Sequence, residues 1–105
     1  MAAEPRLSAE AVAQIASISD YIAEDSPQNA ASWRAGIFQR ISSLRDFPSR
    51  HEVVYTKEQA GRVVHQTFYG AYRILYTLDQ SYVYVLTIRH GARVPQGPTE
   101  VGGIE

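Results

Sequence analysis

RVVHQTFYGAYRILYTLDQSYVYVLTIRHGAR, residues 62–93, decides the fold. It holds five of the chain's seven tyrosines and is rich in β-branched residues. Such side chains suit a pleated, half-buried surface, and the short polar interruptions favour antiparallel pairing. The stretch reads as a three-strand meander: Val63–Phe68, a turn at Tyr69-Gly70-Ala71, Tyr72–Leu78, a turn at Asp79-Gln80-Ser81, and Tyr82–Arg89. Side chains alternate across a strand. Tyr72, Ile74, Tyr76 and Leu78 should therefore share one face, with Arg73, Leu75 and Thr77 on the other. In the last strand, Tyr82, Tyr84, Leu86 and Ile88 should oppose Val83, Val85, Thr87 and Arg89. Both faces of that strand are mostly apolar, which predicts a central position covered on both sides.

At 105 residues the chain is sized for one domain with a single modest core. Its 45% hydrophobic and 20% charged content is that of an ordinary globular protein. Cysteine is absent, which excludes disulfides and thiolate chemistry, and the three histidines have no metal-ligand spacing. No metal or cofactor is expected. No apolar run reaches the ~20 residues of a membrane span, and MAAEPRLSAE is not built as a secretory signal. The expected location is the cytoplasm. A formal net charge of −1 argues against a strongly basic nucleic-acid binder.

Pro5-Arg6-Leu7 can lie extended at a sheet edge. Ser8 stands where an N-cap belongs, with Glu10 at the positive end of the dipole. Val12, Ile15, Ile18 and Ile22, with Ala11 and Ala16 beside them, predict an amphipathic helix over about 9–24. Asp25-Ser26-Pro27 breaks it and caps a second helix over about 27–46, whose stripe is Ala30, Trp33, Ile37, Ile41 and Leu44. So short a loop makes the two helices an antiparallel hairpin. Phe47-Pro48 should end the second helix. Val53–Thr56 reads as a strand, and Lys57–Gly61 as a polar turn closing a hairpin onto the next strand. The expected fold is α+β: an N-terminal helical hairpin packed on a four- to five-stranded antiparallel sheet. Residues 1–93 form the domain and 94–105, with two prolines and three glycines, a tail.

Chemistry is thinly signalled. His90 and Arg93 at a strand end could act as a base and an anion clamp. An ordinary hydrogen-bonded histidine and a solvated arginine fit the same pattern. Arg73 lies in mid-strand, where a charge must be paired, stacked or at a functional surface. An ion pair with Asp20 or Glu24 would be the structural explanation. The tyrosines could stack bases, although their alternation with Leu and Ile suits a core better.

Four strings together resemble the RelE/ParE toxin superfamily of type II toxin–antitoxin pairs, in its ParE, or plasmid-stabilisation, branch. They are RLSAEAVAQIASISDYIAEDSP, AASWRAGIFQRISSLRDFP, GAYRILYTLD and VLTIRHGAR, and the resemblance spans about residues 5–93. It implies the fold read above. It also implies a small cytoplasmic toxin neutralised in a hetero-oligomer by a ParD-like antitoxin, whose C-terminal segment wraps the hairpin and sheet. ParE-type members poison DNA gyrase by binding and have no established catalytic residues. RelE-type members are ribosome-dependent endoribonucleases that cut messenger RNA. The resemblance places the two RelE-type lysines at Val64 and Gln66, and the tyrosine of some nucleases near Thr99. Arg73 and Arg93 match the superfamily's arginine positions, and His65 stands where many ParE-like chains carry arginine. The lost lysines favour a gyrase-binding toxin that is not an enzyme, with Arg73, His90 and Arg93 as candidate target contacts. A nuclease with His90 as base and Arg73 and Arg93 as phosphate clamps is the alternative. A member that only binds its antitoxin is another.

Overall fold

The chain begins in an edge strand, β1 (Glu4–Leu7), and passes through a single residue, Ser8, into helix α1 (Ala9–Asp25). The computed structural model describes residues 4–79 and 81–91. The Ser8 hydroxyl accepts the Ala11 amide proton and so caps the helix, as its sequence position predicts. Ser26 ends α1 and caps α2 (Pro27–Ser43) through the Asn29 amide, with Pro27 in the first turn. The two helices form the expected hairpin.

The α2 stripe is buried as read: Ala30, Ile37, Ile41 and Leu44 are all but inaccessible, and Trp33 is partly so. The α1 stripe differs. Ala11, Ile15 and Ser19 are buried, Ile18 packs at the flank, and Val12 is 54% exposed. The small residues let α1 approach closely, which turns Val12 outward. α2 stops at Ser43, ahead of the predicted 46, and Phe47 takes up a left-handed conformation (φ 50°) before a short 3-10 turn, Pro48–Arg50. Next come β2 (Val53–Tyr55) and α3 (Lys57–Ala60). This one-turn helix replaces the predicted polar turn. The Gln59 side chain accepts the Thr56 amide proton, and Gly61 (φ 79°) closes the turn in the left-handed region where glycine costs nothing.

The meander follows as β3 (Val64–Tyr69), β4 (Tyr72–Asp79) and β5 (Tyr82–His90), each within a residue of its predicted bounds. The strand order is β1-β5-β4-β3-β2. Strand β5 is interior, as its apolar faces require, although β4 holds the middle place. The sheet is mixed, not purely antiparallel: β1 runs parallel to β5, with Glu4 opposite Tyr82 and Leu7 opposite Val85. Only one residue separates β1 from α1, so β1 must finish beside Val85 for the helix to start where it covers β5. The parallel direction meets that condition.

The hairpin covers one face of the sheet. Ile74, Tyr76, Val83, Val85 and Ile88 meet Ala11, Ile15, Ile37, Ile41 and Leu44 there. The other face carries a smaller cluster of Val64, Leu75 and Leu86, flanked by Tyr55, Ala60 and Tyr84.

Candidate functional site

The candidate residues take their places from one irregularity. Asp79 faces Tyr82 across the β4–β5 turn, and an unbroken ladder from there would set Arg73 opposite Ile88. The ladder slips by one residue between Leu75 and Tyr76, which face Thr87 and Val85 and leave Leu86 as an extra residue. Such a bulge shifts every later side chain relative to its partner strand. Beyond it, Ile88 joins Val83 and Val85 under the helices, contrary to strict alternation. Arg89 comes to face Arg73, and His90 faces Tyr72.

Helix α1 holds this bulge in place. Strand β1 reaches only to Val85, and past that point α1 takes over the β5 edge. The Ser8 amide donates to the Val85 carbonyl, and the Ser8 hydroxyl donates to the Leu86 carbonyl at 2.8 Å. The Gln14 carboxamide oxygen accepts both the Ile88 amide proton (2.6 Å) and the Thr87 hydroxyl proton (2.9 Å). Gln14 is itself held by Glu10 through its amide nitrogen, at 3.1 Å. A bulge interrupts the ladder, and these two side chains satisfy the groups it exposes.

The result separates the predicted site residues. The His90 ring lies edge-on to Tyr72, 5.5 Å between centroids, and Tyr72 packs edge-on against Trp33 of α2 at 5.4 Å. His90 therefore belongs to the helix-covered face. Arg73 is on the face away from the helices, between Phe68 and Arg89, its neighbours on β3 and β5. It makes no ion pair with Asp20 or Glu24, which lie on the hairpin across the sheet. The one ion pair among the described residues is Arg6–Glu4, at the surface. The Arg73 Nε is shielded from solvent and has no hydrogen-bond partner among the described residues. Arg93 and the tail from Val94 lie outside the described residues.

Two residues at this end were not singled out from sequence. Arg89 carried no signal, because only the bulge brings it opposite Arg73. Phe68, 46% exposed, sits beside Arg73 on the same face. The positions where the nucleases carry lysines are occupied differently here. Val64 is fully buried, and the Gln66 amide nitrogen donates to Glu52 at 3.1 Å, pinning β3 to the approach to β2.

A third region anchors the segment between α2 and β2. Tyr76, fully buried, donates its hydroxyl proton to the Pro48 carbonyl, and burial pushes its pKa up to about 12. The His65 ring stacks on Tyr76 at 5.3 Å, with its Nδ1 3.0 Å from the His51 carbonyl. His65 is thus built into the core where many ParE-like chains carry arginine.

The family model of the ParE toxin of type II toxin–antitoxin systems (parDE) matches residues 6–95. The chain belongs to the ParE toxin family. The match runs from within β1 through the end of β5 and implies an antitoxin as partner. No curated protein matches the chain. As a ParE toxin it presents a helix-backed sheet whose other face is buried at Val64, Leu75 and Leu86 and exposed at Phe68. No group of three or more His, Cys, Asp or Glu side chains able to hold a metal ion occurs among the described residues, and no helix there is long and apolar enough to cross a membrane.

Proposed function

We propose that this ParE-family toxin acts in the cytoplasm by binding DNA gyrase, and that the antitoxin prevents that encounter. The separation of His90 from Arg73 is the observation that supports this most. Phosphodiester cleavage by a base and cationic clamps needs those groups converging on one reacting atom. Here the histidine and the arginine point to opposite faces of the sheet. The nuclease lysine positions add no cation: one is a buried valine and the other a glutamine committed to Glu52. What remains is a surface at the Arg73 end of the sheet, beside the exposed Phe68, suited to docking on another macromolecule. His90 borders it from the covered side, and Arg93 and the tail from 94 onward would extend it.

The test uses purified gyrase and relaxed plasmid. Added protein should block supercoiling or leave linear DNA, and Arg73→Gln should weaken the effect. Normal supercoiling at doses that stop growth would reject the proposal. Transcript ends appearing after induction, and disappearing with His90→Ala, would establish the ribonuclease instead.

A further inference from the structure

Phe47 is the most exposed large apolar side chain among the described residues, at 80%, and among them the one residue other than glycine with a positive φ. A left-handed backbone is unfavourable for a residue with a Cβ, and a ring in water gains nothing from burial. Yet the chain around it is firmly held. Leu44, just ahead, is fully buried, and the Tyr76 hydroxyl donates to the Pro48 carbonyl. The Arg50 amide donates to the Phe47 carbonyl at 3.1 Å, and the Arg50 Nη1 donates to the Asp46 carbonyl at 2.8 Å. Further on, Gln66 holds Glu52 twice, through its backbone amide to the carbonyl at 2.9 Å and through its side chain to the carboxylate at 3.1 Å. With anchors on both sides, the fold itself holds the ring out to solvent.

Charge identifies what the ring meets. Residues 34–50 hold four of the chain's ten Lys+Arg and one of its eleven Asp+Glu, whereas α1 holds four Asp+Glu and no Lys or Arg. Arg40, Arg45 and Arg50 are exposed, and Arg50 and Arg40 stand near enough to His51 to reinforce the effect of burial in lowering its pKa. Between Arg45 and Arg50 the only apolar residue besides Phe47 is Pro48. A protein hot spot sets its aromatic anchor in a well-packed pocket, whereas this ring projects from a segment rich in guanidinium groups. That combination matches a single-stranded nucleic acid, whose bases stack on aromatic faces while arginines meet its phosphates. A formal net charge of −1 for the whole chain keeps the contact local.

We propose that the Phe47 loop is a contact site for single-stranded DNA: an unpaired base stacks on Phe47 while neighbouring phosphates meet Arg40, Arg45 and Arg50. The loop leads into β2, which pairs with the start of β3, whereas Arg73 faces Phe68 near the other end of that strand. The site is therefore separate from the Arg73 end. The choice of DNA over RNA rests on the gyrase reading above, since DNA is what gyrase works on.

Binding is read without gyrase, so failure here is distinguishable from failure of the gyrase reading. Fluorescence anisotropy of a labelled twelve-nucleotide oligothymidylate should show binding by the full chain at about 50 mM salt. Log affinity should fall with log salt at a slope of about −2, as three phosphate contacts on a single strand require. Phe47→Ala should weaken binding about tenfold at an unchanged slope. Phe47→Leu should weaken it similarly, and Phe47→Trp should restore it, because stacking needs a ring. Arg45→Gln should make the slope shallower by about 0.7. Phe47→Gly is the folding control: glycine takes the left-handed backbone without strain, so this variant should keep the wild-type circular dichroism and still lose the DNA. Absence of binding, a Phe47→Leu protein that binds as well as the wild type, or an oligouridylate or duplex bound more tightly than the oligothymidylate overturns the proposal. So does a Phe47→Ala protein that binds the DNA normally but no longer binds purified gyrase, because the ring is then a protein contact.

Discussion

The two ends of the β5 bulge treat polar groups in opposite ways. On the α1 side three groups at the bulge are answered: Ser8 takes the Leu86 carbonyl, and Gln14 takes the Ile88 amide and the Thr87 hydroxyl. On the β4 side the same bulge sets Arg89 opposite Arg73, whose Nε has no hydrogen-bond partner among the described residues. The first arrangement holds the fold together. The second leaves the Arg73 Nε unanswered among the described residues. One structural device thus serves both purposes, with α1 anchoring the bulge that presents the arginines.

The comparison breaks most visibly at Gln14. Gln14→Ala removes one acceptor and strands two donors, the Ile88 amide and the Thr87 hydroxyl. Each stranded buried donor costs about 1–3 kcal/mol, so with two of them denaturant unfolding should register a loss of roughly 2–6 kcal/mol. Hydrogen exchange adds a local readout: the Ile88 amide should lose protection well ahead of the β3–β4 amides. If Ile88 keeps its protection in the variant, Gln14 is not what holds the bulge.

Arg73→Met should act in the reverse direction. It removes the repulsion with Arg89 and the unsatisfied Nε while keeping an unbranched side chain over the sheet. A gain of about 0.5–1 kcal/mol is expected in the isolated protein. A destabilised Arg73→Met would mean that the arginine is a structural group, and the contrast with the α1 side would vanish.

Much of this was legible in the sequence, and the parts that were not have specific causes. Ser8, Ser26 and Pro27 carry the capping chemistry that fixes both helix starts, and tyrosines with β-branched residues mark the strands. Strand direction has no such marker. The period-2 pattern of Glu4–Leu7 is the same in parallel and antiparallel pairing, and the decision belongs to the single-residue link into α1. The bulge was hidden for a related reason. Val85, Leu86, Thr87 and Ile88 all suit a strand and tolerate either face, so the alternation gives no sign of an added residue. Arg73 could be singled out from its mid-strand position alone. Arg89 could not, because its face depends on that bulge. His90 was grouped with Arg93 because both stand at the end of the last strand, and with Arg73 through the family resemblance, while the structure puts His90 and Arg73 on opposite faces of the sheet.

The smallest expected effect concerns His51, at the far end of the helix-covered face. Its ring lies edge-on to Tyr76 at 6.3 Å, and its Nε2 has no hydrogen-bond partner among the described residues. Unlike Arg73, this residue can shed its charge. Burial chiefly, then the Arg50 and Arg40 guanidinium groups and His65, hold its pKa below the ordinary 6.5. The unfolded chain therefore binds a proton at a higher pH than the folded one does. Stability is complete above about pH 6.5 and declines as the pH falls through that value toward the depressed folded pKa. Equilibrium unfolding at several pH values should show this decline in the wild type, and a shallower one in His51→Gln, which places a neutral side chain there. Identical slopes for the two proteins would mean that His51 does not contribute to the acid sensitivity. A wild type that gained stability in acid would reverse the sign, and would mean that burial and the neighbouring positive charges do not govern the acid response at this ring.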